Sequence, residues 1–251
     1  MSDATIASLT FALIFGGALL GLFLRSKLPA HHLSQDSKDI VKVAMALVST
    51  MSALLLGLLV SSTKTAYDSE KTEVTQMAAK IVYLDWVLSS YGPEAAKARE
   101  LLRGTAQRAL ERMWPDGNFQ PARIDPGEAD AAGLQRAIHQ LAPQKDLQQS
   151  LKSHAFEIAA ELGQLRWLMF EQAQTSVSMA LLIAVIIWLT IIFISFGLFA
   201  PANGTVVAAL LLAAMSVSGA VYLILELDEP FDGVLQISSG PMRSVVTRLG
   251  K

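Results

Sequence analysis

Four long stretches of the chain contain no charged residue. They cover residues 4–24, 43–63, about 175–200 and 205–225. The last two are separated by a turn signal, Pro201-Ala202-Asn203-Gly204. Each stretch has the roughly 20 residues that an α-helix needs to cross the hydrocarbon core of a bilayer. The stretches do not alternate apolar and polar residues as the strands of a membrane barrel do, so we expect four transmembrane helices.

The polar segment after the second stretch keeps a helical period. Its apolar residues recur at alternating spacings of three and four, at Val74, Met77, Ile81, Leu84, Leu88 and Tyr91. Gly57 is the one helix-weakening residue between Val43 and Tyr91, and Gly92-Pro93 then predicts a stop. The second transmembrane helix is therefore predicted to continue beyond the membrane, giving about 50 residues or roughly 75 Å of helix.

A second apolar seam leads into the third stretch. It begins after Pro143 and consists of Leu147, Leu151, Ala155, Ile158, Leu162, Leu165 and Met169. We expect it to run into the third transmembrane helix as one rod, antiparallel to the first rod. Two shorter helices are predicted between the rods, one beginning at Pro93 and one capped by Asp125.

These patterns predict an all-α membrane protein with four transmembrane helices. Extensions of the second and third transmembrane helices form a polar helical domain. The predicted organisation is 1–63 for the first two transmembrane helices, 64–174 for the helical domain, 175–225 for the other two transmembrane helices and 226–251 for a C-terminal segment.

The charges next to the stretches leave the orientation in the membrane open. The first stretch has no basic residue before it and is too long for a signal peptide, so we expect it to be retained. Four crossings then place both termini and residues 64–174 on one side. Basic residues near the membrane are nearly balanced between the sides, with Arg25, Lys27, Lys38 and Lys42 opposing Lys64, Lys71, Arg166, Arg243 and Arg248.

Composition narrows the class of protein. Of the 251 residues, 52% are hydrophobic and only 17% are charged, against about 25% charged in a typical soluble domain. The formal net charge of −2 gives no basic field for nucleic acid. The chain has no cysteine, which excludes disulfides and thiol chemistry, and it has no phosphate-binding or dinucleotide-binding glycine pattern. We therefore expect neither an enzyme nor an organic cofactor.

Small residues form a stripe along the second stretch, at Ser49, Ala53, Gly57 and Ser61. Such a stripe lets two helix backbones approach closely. In a ring of identical subunits it could instead line a pore and supply hydroxyl groups. Lys64 and Asp68 follow on the same helix, where they are either a local ion pair or rings of charge at a pore mouth.

Acidic residues gather after the fourth stretch. Asp228, Glu229 and Asp232 lie there with Glu226, giving four carboxylates within seven residues. Carboxylates at a helix end can hold a hard divalent cation, which makes Asp228, Glu229 and Asp232 a candidate metal site. Alternatively, they form a polar anchor that ends the helix at the membrane surface.

These segments resemble bestrophins. Residues 63–68 (Thr-Lys-Thr-Ala-Tyr-Asp) are similar to the segment after the second membrane helix of bacterial bestrophins, and residues 226–233 (Glu-Leu-Asp-Glu-Pro-Phe-Asp-Gly) to the acidic segment after the fourth. The similarity is greatest to the bacterial bestrophin-like family of uncharacterised membrane proteins. It extends over nearly the whole chain, including residues 91–95, 113–115, 168–172, 196–201 and 224–228.

The resemblance implies a homopentamer in the bacterial inner membrane, around one axial ion pathway. The second helix would line the pore, and the termini and residues 64–174 would be cytoplasmic. The acidic segment after the fourth helix helps to hold calcium in mammalian bestrophins, which makes Asp228, Glu229 and Asp232 candidate ligands here. The predicted partners are thus the lipid bilayer, further copies of the chain and permeant ions.

The sequence also departs from the bestrophin pattern. Bestrophins follow Ala-Tyr-Asp with a basic residue and paired tryptophans, whereas Ser69-Glu70-Lys71 follows here. Ala53, Gly57 and Ser61 fall near the positions of bulky apolar gate residues, so the pore is either wider and wetter or absent. Lys64 would favour anions and Asp68 cations. We expect a pentameric bestrophin-like channel; the alternative is a non-conducting scaffold or sensor whose cytosolic helices bind a partner protein.

Overall fold

A computed structural model describes residues 2–29, 35–115, 128–173 and 177–249. Within these residues the protein contains α-helices, a short 3₁₀-helix at Pro93–Ala95 and no β-strand. The helices are α1 (Asp3–Lys27), α2 (Gln35–Tyr91), α3 (Ala96–Met113), α4 (Glu128–His139), α5 (Asp146–Ala173), α6 (Met179–Phe199), α7 (Gly204–Asp228) and α8 (Gly240–Arg248). The prediction of an all-α fold is confirmed.

The chain divides into two compact units. The membrane unit consists of Met1–Ala66 and Val177–Asp228, and the polar unit of Tyr67–Ser176 and Glu229–Lys251. In the described residues, α1, α2, α6 and α7 are the helices long and apolar enough to cross a membrane. They correspond to the four predicted transmembrane helices.

Glycines bring α1 and α6 together in the membrane unit. A Cβ atom added to Gly21 would lie 2.9 Å from the backbone nitrogen of Leu198, and closer still to the carbonyl oxygen of Ile194. One added to Gly197 would meet the backbone of α1 in the same way. Since both positions lack a side chain, the two backbones can pack directly against each other, as small residues allow in membranes.

A polar contact joins α7 to α1. The buried Ser218 hydroxyl donates a hydrogen bond of 2.6 Å to the carbonyl oxygen of Ala7. Ile14 and Ala18 of α1 lie in one apolar cluster with Ala214 of α7. The first helix of the chain is thus packed against both of the last two apolar helices.

Most of both predicted seams lies in the core of the polar unit, although Leu147, the first residue of the predicted α5 seam, is 68% exposed. The seam of α2 is buried from Val74 to Tyr91, and the seam of α5 from Ala155 to Met169. Helix α2 runs unbroken through 57 residues, about 85 Å at the usual rise, and ends immediately before Gly92. The predicted long extension of the second transmembrane helix is confirmed.

The polar unit also contains a helix that the sequence analysis did not predict. Met242 and Val245 of α8 are buried in its core, together with Leu249. The indole nitrogen of Trp114 donates a hydrogen bond of 2.8 Å to the carbonyl oxygen of Ile237. Phe231, from the acidic segment, packs edge-on against the Trp114 ring with 5.5 Å between centroids. The C-terminal segment is therefore part of the folded polar unit.

The expected continuity of α5 and α6 is corrected by the structure. Helix α5 ends at Ala173, and Val177 and Ser178 are not helical. The carboxylate of Asp228 accepts hydrogen bonds from the Val177 N–H, at 2.9 and 3.2 Å. This bond to a side chain stabilises a separate start for α6. Asp125, the predicted cap of α4, lies outside the described residues.

Candidate functional site: the exposed face of helix α2

Helix α2 contacts the rest of the membrane unit through a narrow face. Ser52, Leu59 and Thr63 are buried on this face, at 2–4% exposure. Leu59 joins an apolar cluster with residues of α6 and α7, among them Leu182 and Val221. The hydroxyls of Ser52 and Thr63 donate to backbone carbonyls one turn earlier in α2, so these buried polar groups are satisfied within the helix.

The predicted stripe of small residues lies away from this contact face. Ser49 is half-buried, and Ala53, Gly57 and Ser61 are exposed. Gly57 lies about 200° around the helix axis from Leu59, at about 100° per residue. A Cβ atom added to Gly57 would find no atom of another helix within 4 Å. Within one copy of the chain, the stripe therefore does not serve as a helix-packing surface.

Large apolar residues flank the stripe and are also exposed. Val43 and Leu54 are 73% and 70% exposed, and Leu47 and Leu58 are 66% and 58% exposed. Only 11% of the most apolar 18-residue segment of α2 is buried within the protein. The corresponding share is 22–33% in α1, α6 and α7. Helix α2 is thus the least covered of the four apolar helices, although apolar side chains and hydroxyls both lie on its open surface.

Lys64 and Asp68 both have exposed side chains on α2. Beyond them, α2 contains two buried acids that the sequence analysis did not single out, Glu70 and Glu73, which are 7% and 8% exposed. Their positions one turn before Val74 and Met77 continue the buried seam towards the membrane. The helical spacing places both residues on the buried face of α2. Spacing alone does not predict that carboxylates would be buried there.

Burial changes the chemistry of Glu73. Desolvation raises the pKa of its carboxyl, and a hydrogen bond with the Gln172 side chain partly opposes that rise. Its Oε2 atom is buried and has no hydrogen-bond partner in the described part of the chain. Glu73 is therefore a carboxyl for which the folded polar unit favours the neutral form.

The acidic segment is arranged differently from the predicted cation site. Asp228 binds the N–H of Val177, while the backbone N–H of Asp232 donates to the carbonyl of Glu229 in a tight turn. The described residues contain no group of three or more His, Asp or Glu side chains that could hold a metal ion. A divalent site at Asp228, Glu229 and Asp232 stays a prediction from the sequence.

The fold and its open apolar helix define the class of protein: an all-helical membrane protein with four membrane-crossing helices and a helical polar unit. The family model of the Bestrophin-like domain matches residues 12–242. The chain therefore belongs to the Bestrophin-like family.

Solved structures give the same fold. A crystal structure of a bacterial bestrophin homolog from Klebsiella pneumoniae, carrying a tryptophan-to-alanine mutation, has a TM-score of 0.74 at 13% identity and covers 99% of this chain and 97% of that one. A second structure of a Klebsiella pneumoniae homolog, with a tyrosine-to-alanine mutation, has a TM-score of 0.66 at 13% identity and covers 94% and 97% of the two chains. The sequence has no significant match among curated proteins.

Proposed function

We propose that the protein is the subunit of a homopentameric ion channel in the bacterial inner membrane, with α2 lining the pore. Family membership and the bestrophin fold support this class of function. The observation that carries the proposal is the open face of α2, where Ala53, Gly57 and Ser61 lie exposed opposite the contact face. Five such faces around an axis would leave room for ions and supply hydroxyls.

The proposed pore has small side chains where a bestrophin gate is apolar and bulky. Ala53 and Gly57 leave space, and Ser61 adds a hydroxyl towards the end of the apolar stretch. Hydration of an ion is easier to maintain in such a neck than in a dry hydrophobic constriction. The neck of this channel is therefore proposed to be wide and wet, with ion selection at Lys64 and Asp68.

Conductance in planar bilayers tests this proposal. Gly57→Phe would insert a large ring into each copy of the neck, so single-channel conductance should fall severalfold or vanish. Gly16→Phe is the matched control, because a Cβ atom added to Gly16 also meets no other helix within 4 Å, but Gly16 lies on α1. It should conduct as the natural protein does.

Two results would overturn the channel proposal. One is a folded oligomer without conductance at any salt concentration or pH. The other is equal conductance of the natural protein and Gly57→Phe, which would remove α2 from the pathway. Cryo-electron microscopy of the detergent-solubilised particle supplies the number of subunits independently.

An exposed aromatic patch favours the alternative function, a non-conducting membrane scaffold or sensor whose cytosolic helices bind a partner protein. Trp86 is 60% exposed, and its ring stacks on Tyr83 with 5.8 Å between centroids. The Tyr83 hydroxyl is 3.0 Å from His154 Nε2. Aromatic residues are common anchors of protein interfaces. If the natural protein did not conduct, and Trp86→Ser kept the oligomeric mass but no longer bound a cytoplasmic protein, the alternative would be supported.

A further inference from the structure

The membrane unit contains a groove beside the proposed pore face, which shares Ser49 with the predicted stripe. It lies between the beginning of the apolar part of α2 and the end of α6, and it encloses about 500 Å³. This is within the size range of pockets that hold small ligands, about 300 to 1,000 Å³. The residues that line it are mostly apolar: Val41, Lys42, Met45, Ala46, Ser49, Ser195, Phe196, Phe199 and Ala200.

Basic groups lie at one end of this groove. Lys42 is part of the lining, and the guanidinium of Arg25 donates a hydrogen bond to the carbonyl oxygen of Ala200, another lining residue. That bond uses one of the five N–H donors of arginine, so its charge and other donors are still available to a ligand.

The nearby acid does not cancel these charges. Asp39 lies 3.4 Å from the Lys42 ammonium, but the two side chains are 59% and 64% exposed. An ion pair this exposed contributes little, so an anion of a ligand can compete for Lys42. By sequence, residues 25–42 contain four lysines and arginines and two aspartates, so this segment has an excess of positive charge.

We propose that the groove binds one anionic phospholipid. An acyl chain lies against the apolar wall formed by Met45 and Phe199, and the phosphate is bound by Lys42 and Arg25. Both the apolar wall and the basic end of the groove favour this ligand. A free anion would leave the apolar wall uncovered, and a lipid without net charge would add no net negative charge to balance Arg25 and Lys42. Lysine and arginine side chains bind phosphate oxygens through charge-assisted hydrogen bonds. The proposal does not depend on whether the protein conducts ions.

Native mass spectrometry of the detergent-solubilised oligomer tests the site, with dioleoylphosphatidylglycerol and dioleoylphosphatidylcholine as probes. The first should bind about fivefold more tightly or better, which is the effect expected from one basic residue next to an anionic head group. Lys42→Gln should lose about that factor for phosphatidylglycerol and keep its affinity for phosphatidylcholine. Lys27→Gln removes the same charge from the same edge but does not line the groove, and should bind both lipids as the natural protein does.

A second pair of variants tests the acyl-chain site. Ala46→Phe fills the groove and should weaken the binding of both lipids, whereas Ala44→Phe, an exposed position of α2 outside the groove, should not. If Ala46→Phe fails to fold, as a melting curve will reveal, Ser195→Leu fills the groove from its opposite wall.

Several outcomes would overturn the lipid site. One is equal affinity for the two lipids. Another is an equal loss in Lys42→Gln and Lys27→Gln, which would indicate general surface charge. A third is unchanged lipid binding in the groove-filling variant. If that unchanged binding came with an altered oligomeric mass, which the same spectra report, a helix of a second copy would occupy the groove instead of a lipid.

Discussion

At the scale of single residues, glycine positions in the membrane unit have opposite consequences. Gly21 is buried against the backbone of α6, whereas Gly16, five residues earlier, has open space around it. Replacing glycine by alanine should therefore affect stability differently at the two sites. At Gly21 it disturbs the close contact between α1 and α6, and at Gly16 it raises the helix propensity.

Gly21→Ala should destabilise the protein by on the order of 1–3 kcal/mol, because the new methyl group overpacks against backbone atoms that cannot rotate away. Gly16→Ala should be neutral or stabilising by up to about 1 kcal/mol, since alanine is the better helix former. Thermal unfolding in detergent measures both. Equal melting temperatures for the two variants would contradict the close packing of α1 on α6.

A buried carboxyl gives the polar unit a dependence on pH. Burial raises the pKa of Glu73, so the stabilising contribution of its neutral form is fully present below the pKa of the unfolded chain. That contribution is lost as the pH rises through the folded value. Glu73→Gln keeps a neutral side chain that can bond to Gln172, so it should be more stable than the natural protein at neutral pH.

Denaturation curves measured from acid to neutral pH check this prediction. The difference in unfolding free energy between Glu73→Gln and the natural protein should grow as the pH rises and vanish in acid. Glu100→Gln, at an exposed position of α3, is the control and should follow the natural protein throughout. If Glu73→Gln were less stable than the natural protein at neutral pH, the carboxyl of Glu73 would not be destabilised by desolvation.

At the scale of helices, a contact between distant residues holds the backbone just before α6. The Asp228 carboxylate, at the end of α7, binds the N–H of Val177 just before α6. Asp228→Ala should destabilise the protein by about 1.5–3 kcal/mol, because it removes a hydrogen bond to a charged group. Glu229→Ala, at the exposed neighbouring position, should cost less, and melting temperatures compare the two.

A second variant of Asp228 distinguishes its hydrogen bond to the backbone from cation binding. Asp228→Asn keeps an oxygen that can accept the Val177 N–H but removes the charge. If calcium binds the acidic segment, it should raise the melting temperature of the natural protein by mass action and leave Asp228→Asn unchanged. Equal calcium shifts in both proteins would exclude a specific site at Asp228.

Periodicity predicted the long helices well because their buried residues are regularly spaced. The seam from Val74 to Tyr91 and the stop at Gly92 were confirmed. The short helix α8 was missed, since nine residues provide too few turns for a period to emerge. The break between α5 and α6 was missed because it depends on Asp228, 51 residues from Val177 in the sequence.

The candidate site could be predicted only in part. The sequence indicated a stripe of small residues on one side of α2, but a stripe alone does not indicate which side of a helix is packed. The contact face at Leu59 provides that information, because it is formed by α6 and α7 from the other end of the chain. By contrast, the glycines that do serve close packing, Gly21 and Gly197, were hidden within uniformly apolar stretches.

At the scale of the whole molecule, the absence of cysteine makes the proposed orientation testable. Single cysteines can be introduced at Ser26, exposed at the end of α1, and at Ser90, exposed near the end of α2. A membrane-impermeant maleimide added to intact spheroplasts should label Ser26→Cys, and should label Ser90→Cys only after lysis. The reverse pattern would place the polar unit outside the cytoplasm. The natural protein, which has no cysteine, is the negative control and should not be labelled.

The packing of α1 has a consequence for the time at which the membrane unit is completed during synthesis. The hydrogen bond from Ser218 to Ala7 joins residues 211 positions apart. At a synthesis rate of about 5–20 residues per second, the first helix therefore waits roughly 10 to 40 s for its partner. During this interval the glycine surface of α1 is uncovered in the bilayer, where lipid, an insertion factor or another nascent copy can contact it before α6 and α7 arrive.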